Sequence, residues 1–151
     1  MRLLNTRTRL LRDYSTTLIP KYAILSHTWS IPEDEALFTD FVRDVADQMT
    51  EYRKIRFACD QAVKDGYEWI WIDTCCMNKD SSAELSEAIN SMYRWYRDAT
   101  ACYAYLADVA AETDFTSHMV EFASSRWFKR GRTLQELIAP SSLGFSHRTG
   151  P

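Results

Sequence analysis

The pattern of apolar and polar positions along the chain predicts four β-strands. The segment 68–73 (EWIWID) is almost continuously apolar, which is typical of a strand that is covered on both faces. Three further apolar segments follow a proline or end at polar residues: 22–28 (YAILSHT), 101–107 (ACYAYLA) and 142–146 (SLGFS). These four segments are the expected strands of one sheet.

Helical spacing appears in the stretches between the strands. In 51–66 (EYRKIRFACDQAVKDG) apolar residues recur every three or four positions, and a glycine closes the segment. In 80–99 (DSSAELSEAINSMYRWYRDA), Ser81 and Glu84 form a capping-box pattern that starts a helix. A further helix is expected over Phe38–Met49.

Alternation of strands and helices indicates an α/β fold. We expect a mainly parallel sheet that contains Ile24, Ile70, Ile72 and Tyr103, with helices on both of its faces. The length of 151 residues favours a single domain over 1–151.

The first twenty residues are basic, with four arginines opposed only by Asp13. Such a composition occurs in mitochondrial presequences. The apolar spacing is poor for an amphipathic helix, however, and favours a basic edge strand or hairpin over 1–20. In that arrangement Leu3, Leu10 and Leu11 are expected to pack inward.

Composition and charge indicate which partners and which cellular compartment are expected for the chain. The chain is 46% hydrophobic with a net charge of -3, which is typical of a folded domain and does not favour a nucleic-acid partner. No stretch approaches the roughly 18 apolar residues of a membrane span. The four cysteines form neither CxxC nor a zinc-ligand spacing, so we expect no metal site and a reducing, cytoplasmic environment.

Candidate chemistry lies at the ends of the predicted strands, because α/β sheets bind ligands beyond the C-terminal ends of their strands. His27, Trp29, Asp73 and Asp108 follow or close three of them. Asp73 either accepts hydrogen bonds from the next turn or contacts a ligand. Trp29 either packs in the core or stacks on a ring.

Two common kinds of site are not favoured by the motifs. The four glycines form neither GxGxxG nor a Walker loop, so a nucleotide must be held in another way. A Cys–His nucleophile built from His27 and Cys75 or Cys76 is an alternative, although adjacent cysteines after a buried strand are more often packed small residues.

The segment 125–140 (SRWFKRGRTLQELIAP) contains an acid in a short apolar helix. Leu134 and Ile138 are four positions apart and form one face, and Glu136 lies nearly opposite. Periodicity alone therefore favours an exposed ion pair between Arg132 and Glu136.

Several ordered blocks resemble the fungal heterokaryon incompatibility (HET) domain. They cover nearly the whole chain: 22–29 (YAILSHTW), 69–99 (WIWIDTCCMNKDSSAELSEAINSMYRWYRDA), 102–109 (CYAYLADV) and 125–140. The opening MRLLNT is also similar to the usual start of such proteins.

The resemblance implies a function and a site. HET domains trigger cell death when genetically different fungal cells fuse, and they are similar to TIR domains, whose fold is flavodoxin-like α/β. Many TIR domains cleave NAD at the nicotinamide–ribose bond with a glutamate in a Trp-Cys-Leu-x-Glu-Leu pattern. The matching stretch here is RTLQEL, which makes Glu136 the catalytic residue. NAD is then a substrate, no cofactor or metal is required, and we expect His27, Trp29 and Asp73 to bind it in one cleft with Glu136.

Two departures and one competing interpretation accompany the resemblance. Arg132 stands where the family pattern usually has tryptophan, and the chain ends early, as in a C-terminally truncated domain. The competing interpretation is a non-enzymatic module that associates with itself or with other incompatibility proteins. Its interface would draw on aromatic residues, which are otherwise expected in the core: Tyr93, Trp95, Tyr96, Trp127 and Phe128.

Overall fold

The protein has an α/β fold around a six-stranded, mostly parallel sheet. The computed structural model describes residues 1–110, 115–131 and 133–148. The strands in these ranges are β1 (Arg2–Asn5), β2 (Leu11–Asp13), β3 (Ala23–His27), β4 (Trp69–Trp71), β5 (Ala101–Ala110) and β6 (Leu143–Arg148). Their order across the sheet is β2-β1-β4-β3-β5-β6. Strands β4, β3, β5 and β6 run parallel, and β1 pairs antiparallel with both neighbours.

Five α-helices lie in the described ranges. They are α1 (Phe38–Val42), α2 (Tyr52–Lys64), α3 (Ser82–Asp98), α4 (Phe115–Ser124) and α5 (Thr133–Ile138). Two short 3-10 turns, Ala46–Gln48 and Arg126–Lys129, complete the regular structure. The predicted strands and the helices over 51–66 and 80–99 are confirmed within a few residues.

Helix α2 packs on one face of the sheet. The hydroxyl of Tyr103 donates to Asp65, just beyond the end of α2, at 2.6 Å. The ring of Tyr105 contacts Phe57 of the same helix, with centroids 5.6 Å apart. Tyr103 and Tyr105 are two positions apart on β5, so they point to the same face.

Helix α3 covers the opposite face. Trp71 of β4 contacts Trp95 and Tyr96, with ring centroids 5.3 Å and 6.2 Å away. All five residues of β3 are buried, as a central strand between two helical layers requires. The expected mainly parallel sheet with helices on both faces is confirmed, although Ile72 lies one position beyond the end of β4.

The N-terminal segment forms the expected hairpin at the sheet edge, with one difference in its packing. Leu3 is fully buried, but Leu10 precedes β2 and is 68% exposed. Leu4 is buried instead, because it pairs with Ile70 of β4 in the sheet. The inward packing predicted for Leu10 is therefore wrong.

The single helix predicted over Phe38–Met49 is also wrong in its extent. Helix α1 ends at Val42, and the chain turns at Asp44, which adopts a left-handed conformation with φ of 58°. A separate 3-10 turn follows. Left-handed backbone is incompatible with continuing an α-helix, so the segment divides into two pieces.

Candidate active site

The end of β3 places two adjacent polar side chains on opposite faces of the sheet. Ser26 and His27 are both buried, and alternation along the strand directs them to opposite sides. Each belongs to a cluster of polar groups that reaches the C-terminal edge of the sheet. This is the edge at which α/β proteins bind ligands.

The first cluster joins His27, Asp73 and Trp29. His27 Nε2 lies 2.8 Å from one carboxylate oxygen of Asp73, and the indole N–H of Trp29 donates to the other at 2.9 Å. Burial by itself would raise the pKa of Asp73, but His27, the ammonium of Lys79 and the indole N–H hold it below its ordinary value. Asp73 is therefore an ionised carboxylate that fixes both ring side chains.

The second cluster is built around Glu136. The hydroxyl of Ser26 donates to the Glu136 carboxylate and accepts the indole N–H of Trp127 at 2.7 Å. The guanidinium of Arg130 donates to both carboxylate oxygens, at 2.9 Å and 3.0 Å. Such a bidentate pair is among the stronger and more directional contacts that a carboxylate makes.

Glu136 is buried, which reverses the expectation from periodicity. It is only 2% exposed, whereas Leu134 and Ile138 of the same helix are 67% and 64% exposed. The physical reason is that Arg130 and Ser26 satisfy the carboxylate inside the protein. The expected exposed pair with Arg132 is wrong as to exposure, and Arg132 itself lies outside the described residues.

The surroundings of Glu136 favour proton uptake. Burial raises its pKa, and this effect exceeds the lowering effects of Arg130 and of the Ser26 hydrogen bond. The negative charge of Asp73 also raises the pKa of Glu136. The two carboxylates therefore lie within electrostatic range of each other, although they belong to separate clusters.

A cleft of about 560 Å³ opens beside both clusters. Its walls include Trp29, Asp73, Lys79 and Arg130. Its volume falls within the range of small-molecule sites, which is roughly 300–1,000 Å³. Arg130 contacts the cleft on one side and Glu136 on the other, so it separates the buried carboxylate from the open space.

The four residues predicted from the sequence are thus brought to one region in two layers. Trp29 and Asp73 line the cleft directly. His27 contacts Asp73 from behind, and Glu136 contacts Arg130. Their roles in binding and catalysis stay predictions.

The alternative Cys–His nucleophile lacks the geometry it needs. Cys75 and Cys76 are buried, and burial raises the pKa of the Cys75 thiol well above its ordinary value. A nucleophilic cysteine requires the opposite shift, toward the thiolate. His27 directs its Nε2 to Asp73.

The groups that hold the predicted residues in place were not among the predicted site residues. Ser26 stands directly before His27, and Trp127 and Arg130 lie in the same block as Glu136. Ser26 and Trp127 are uncharged and buried, so residue type alone did not single them out. Their presence inside two of the ordered sequence blocks was the available signal.

Within 1–110, 115–131 and 133–148, no group of three or more histidine, cysteine, aspartate or glutamate side chains is placed to hold a metal ion. In the same part of the chain, no helix combines the length and the apolar character that crossing a bilayer requires.

The fold and this edge define an α/β domain with a buried carboxylate beside an open cleft, and comparison with known proteins assigns its family. The sequence model of the heterokaryon incompatibility protein (HET) family matches residues 22–136, so the chain belongs to that fungal family. The match covers all of the site residues described above.

A relative shows the same family relationship. The chain is 49% identical over 141 residues to the vegetative incompatibility protein HET-E-1 of Podospora anserina. The alignment covers 91% of this chain and 10% of that protein, so the chain spans about a tenth of its relative's length. No solved structure matches the chain.

Proposed function

We propose that this domain is a TIR-like, cytoplasmic cell-death effector of the incompatibility response, and that it cleaves NAD at the nicotinamide–ribose bond. The observation that supports this proposal is the position of Glu136, a buried carboxylate one arginine away from an open cleft with an exposed tryptophan ring. The family match supplies the biological setting.

The chemistry requires one carboxylate at the reacting sugar. As the bond between the anomeric carbon and the pyridinium nitrogen breaks, its electron pair passes to the nitrogen, and nicotinamide leaves as a neutral molecule. The ribosyl group acquires oxocarbenium character, as in glycoside hydrolysis. An ionised Glu136 stabilises that charge, and water then adds to the anomeric carbon with loss of a proton.

Arg130 must leave Glu136 before the carboxylate can contact a sugar. The bidentate pair uses both carboxylate oxygens, and the carboxylate has almost no exposed surface. Arg130 already borders the cleft, where a diphosphate offers it alternative acceptors. Binding of NAD therefore exchanges one anionic partner of Arg130 for another and frees Glu136.

The test measures nicotinamide release from NAD by the purified domain at high protein concentration. Chromatography detects the nicotinamide that is released. Glu136→Gln removes the charge and keeps the shape, so we expect the rate to fall by about 10²–10³. Glu87→Gln is the matched control, because Glu87 is an exposed glutamate on α3. An unchanged rate in Glu136→Gln would refute the role of this carboxylate.

A second candidate is a non-enzymatic assembly module that associates with itself or with other incompatibility proteins. Large apolar side chains are exposed on α4 and α5: Met119, Val120, Leu134 and Ile138. They differ from the aromatic interface expected from the sequence, because three of its members pack in the core: Trp95, Tyr96 and Trp127. Light scattering that shows concentration-dependent association, with NAD left intact, would favour this candidate.

A further inference from the structure

The ring of Trp29 is in contact with two opposite charges. Its indole N–H donates to the Asp73 carboxylate at 2.9 Å. The ammonium of Lys79 lies over its face, 3.0 Å from the ring centroid. Lys79 belongs to the segment between β4 and α3, and all three side chains border the same cleft.

We propose that this face of Trp29 is a subsite for a flat organic cation, which displaces Lys79 when it binds. The face of an indole ring is negative and attracts cations more strongly than other aromatic side chains do. Trp29 is 43% exposed, so a ligand in the cleft can reach it. The lysine stem is flexible, so its ammonium can leave the ring without movement of the backbone.

The charges around the ring support a cation site. Asp73 stays ionised, since His27, Lys79 and the indole N–H outweigh the effect of burial on its pKa. Burial lowers the pKa of Lys79, with Asp73 opposing that shift. The ammonium is therefore partly desolvated over the ring, and it regains water when a ligand takes its place.

The identity of the cation rests on the proposed function, under which it is the pyridinium ring of NAD. The ring loses its positive charge when the bond to ribose breaks, because the bonding electrons pass to its nitrogen. Neutral nicotinamide then has a weaker hold on the Trp29 face than the returning Lys79 ammonium. Lys79 thus competes with the charged substrate ring for the Trp29 face and promotes release of the neutral product.

Calorimetric titration separates this proposal from a purely structural contact. The probes are the N-methylated pyridinium form of nicotinamide, which is a cation, and nicotinamide itself. In Lys79→Gln we expect the pyridinium probe to bind about tenfold tighter than in the wild type. Nicotinamide should gain less, because the displaced ammonium remains beside the cleft and repels only the cationic probe. Lys64→Gln, which removes an exposed lysine of α2, should match the wild type.

Loss of the ring gives the complementary result. Trp29→Leu should weaken binding of the pyridinium probe by about tenfold or more. The proposal is overturned when Lys79→Gln binds the cation no tighter than the wild type, or when a folded Trp29→Leu binds it equally well. If Trp29→Leu does not fold, the titration of Lys79→Gln tests the proposal without it.

The same variants distinguish this subsite from the proposed reaction. Pyridinium binding that responds to Lys79 and Trp29, with no nicotinamide release from NAD, would refute the hydrolase and retain the cation subsite. Nicotinamide release by the wild type, with pyridinium binding unaffected by Lys79→Gln, would refute the subsite and retain the hydrolase.

Discussion

Ionisation of Glu136 connects its burial to the pH dependence of the proposed reaction. Burial raises its pKa above the ordinary value of 4.5, against the lowering effects of Arg130 and Ser26. Only the ionised carboxylate stabilises a ribosyl cation. We therefore expect kcat/KM for NAD to decline on the acid side with a pKa above 4.5, which a pH–rate profile measures.

Arg130 provides the internal check on that assignment. Its positive charge lowers the pKa of Glu136, so Arg130→Gln should move the acid limb of the profile to still higher pH. Arg56→Gln, at an exposed position of α2, should leave the limb where it is. An acid limb at the same pH in the wild type and Arg130→Gln would show that another group titrates.

At the scale of elements, the N-terminal cap of α3 should contribute measurably to stability. The side chain of Ser81 accepts the backbone N–H of Glu84, which satisfies one of the free donors of the first turn. Ser81→Ala should lower the free energy of unfolding by about 1 kcal/mol. That loss corresponds to a fall in Tm of about 2–4 °C for a domain of this size.

A serine within the same helix is the control for the cap. Ser86 is exposed on α3, where alanine is the better helix former, so Ser86→Ala should be neutral or slightly stabilising. Thermal unfolding followed by circular dichroism compares the two variants. Equal effects of both substitutions would mean that the Ser81 side chain is not a working cap.

Sequence patterns predicted the long elements because each carries a sustained signal. The capped, amphipathic α3 is an example in which period, length and boundary agree. The six-residue α5 has too few positions for periodicity to identify its buried face. In the segment Phe38–Met49 the helical pattern predicted too long a helix, because the pattern continues across Asp44, where the left-handed backbone ends the helix.

Helix α4 was not predicted, although a signal exists for it. Phe115, Met119 and Phe122 recur at spacings of four and three, which is typical of a helix. The Met119 side chain is half exposed, so the stripe does not mark a fully buried face. The apolar pattern of α4 is also shorter, since this helix has 10 residues against 13 in α2 and 17 in α3.

At the scale of the whole molecule, the site depends on contacts between distant parts of the chain. Ser26 and Glu136 are 110 positions apart, and Ser26 and Trp127 are 101 apart. Sequence patterns report neighbours along one element, so they indicated the strand ends, whereas Glu136 was indicated only by the family resemblance. Neither identified the groups that contact these residues. The strand order supplies the missing information, because it places β3 between β4 and β5 at the centre of the sheet.

A second long-range contact holds the segment that carries Trp29. Lys54 of α2 and Glu35 are both buried, with the ammonium 2.5 Å from a Glu35 oxygen. The same ammonium lies 3.4 Å from the carbonyl of Thr28, and the Glu35 oxygen accepts the backbone N–H of Ser30 at 2.6 Å. The ion pair therefore fixes the chain on both sides of Trp29.

Removing one partner of this buried pair should be strongly destabilising. Lys54→Met leaves the carboxylate of Glu35 buried without its counter-charge, so we expect the free energy of unfolding to fall by about 3–5 kcal/mol. Urea unfolding measures the change. Lys64→Met, at an exposed position of the same helix, should alter stability by no more than about 0.5 kcal/mol.

The double variant Lys54→Met/Glu35→Gln identifies the cause of that loss. Its glutamine is neutral and still offers an oxygen to the N–H of Ser30, so it should recover part of the stability that Lys54→Met alone loses. Glu51, the other carboxylate near Lys54, keeps a contact with Arg53 at 3.0 Å and need not be changed. If the double variant is no more stable than Lys54→Met, the lost free energy of unfolding comes from the packing of the lysine stem. The ion pair would then not be what holds Trp29 at the cleft.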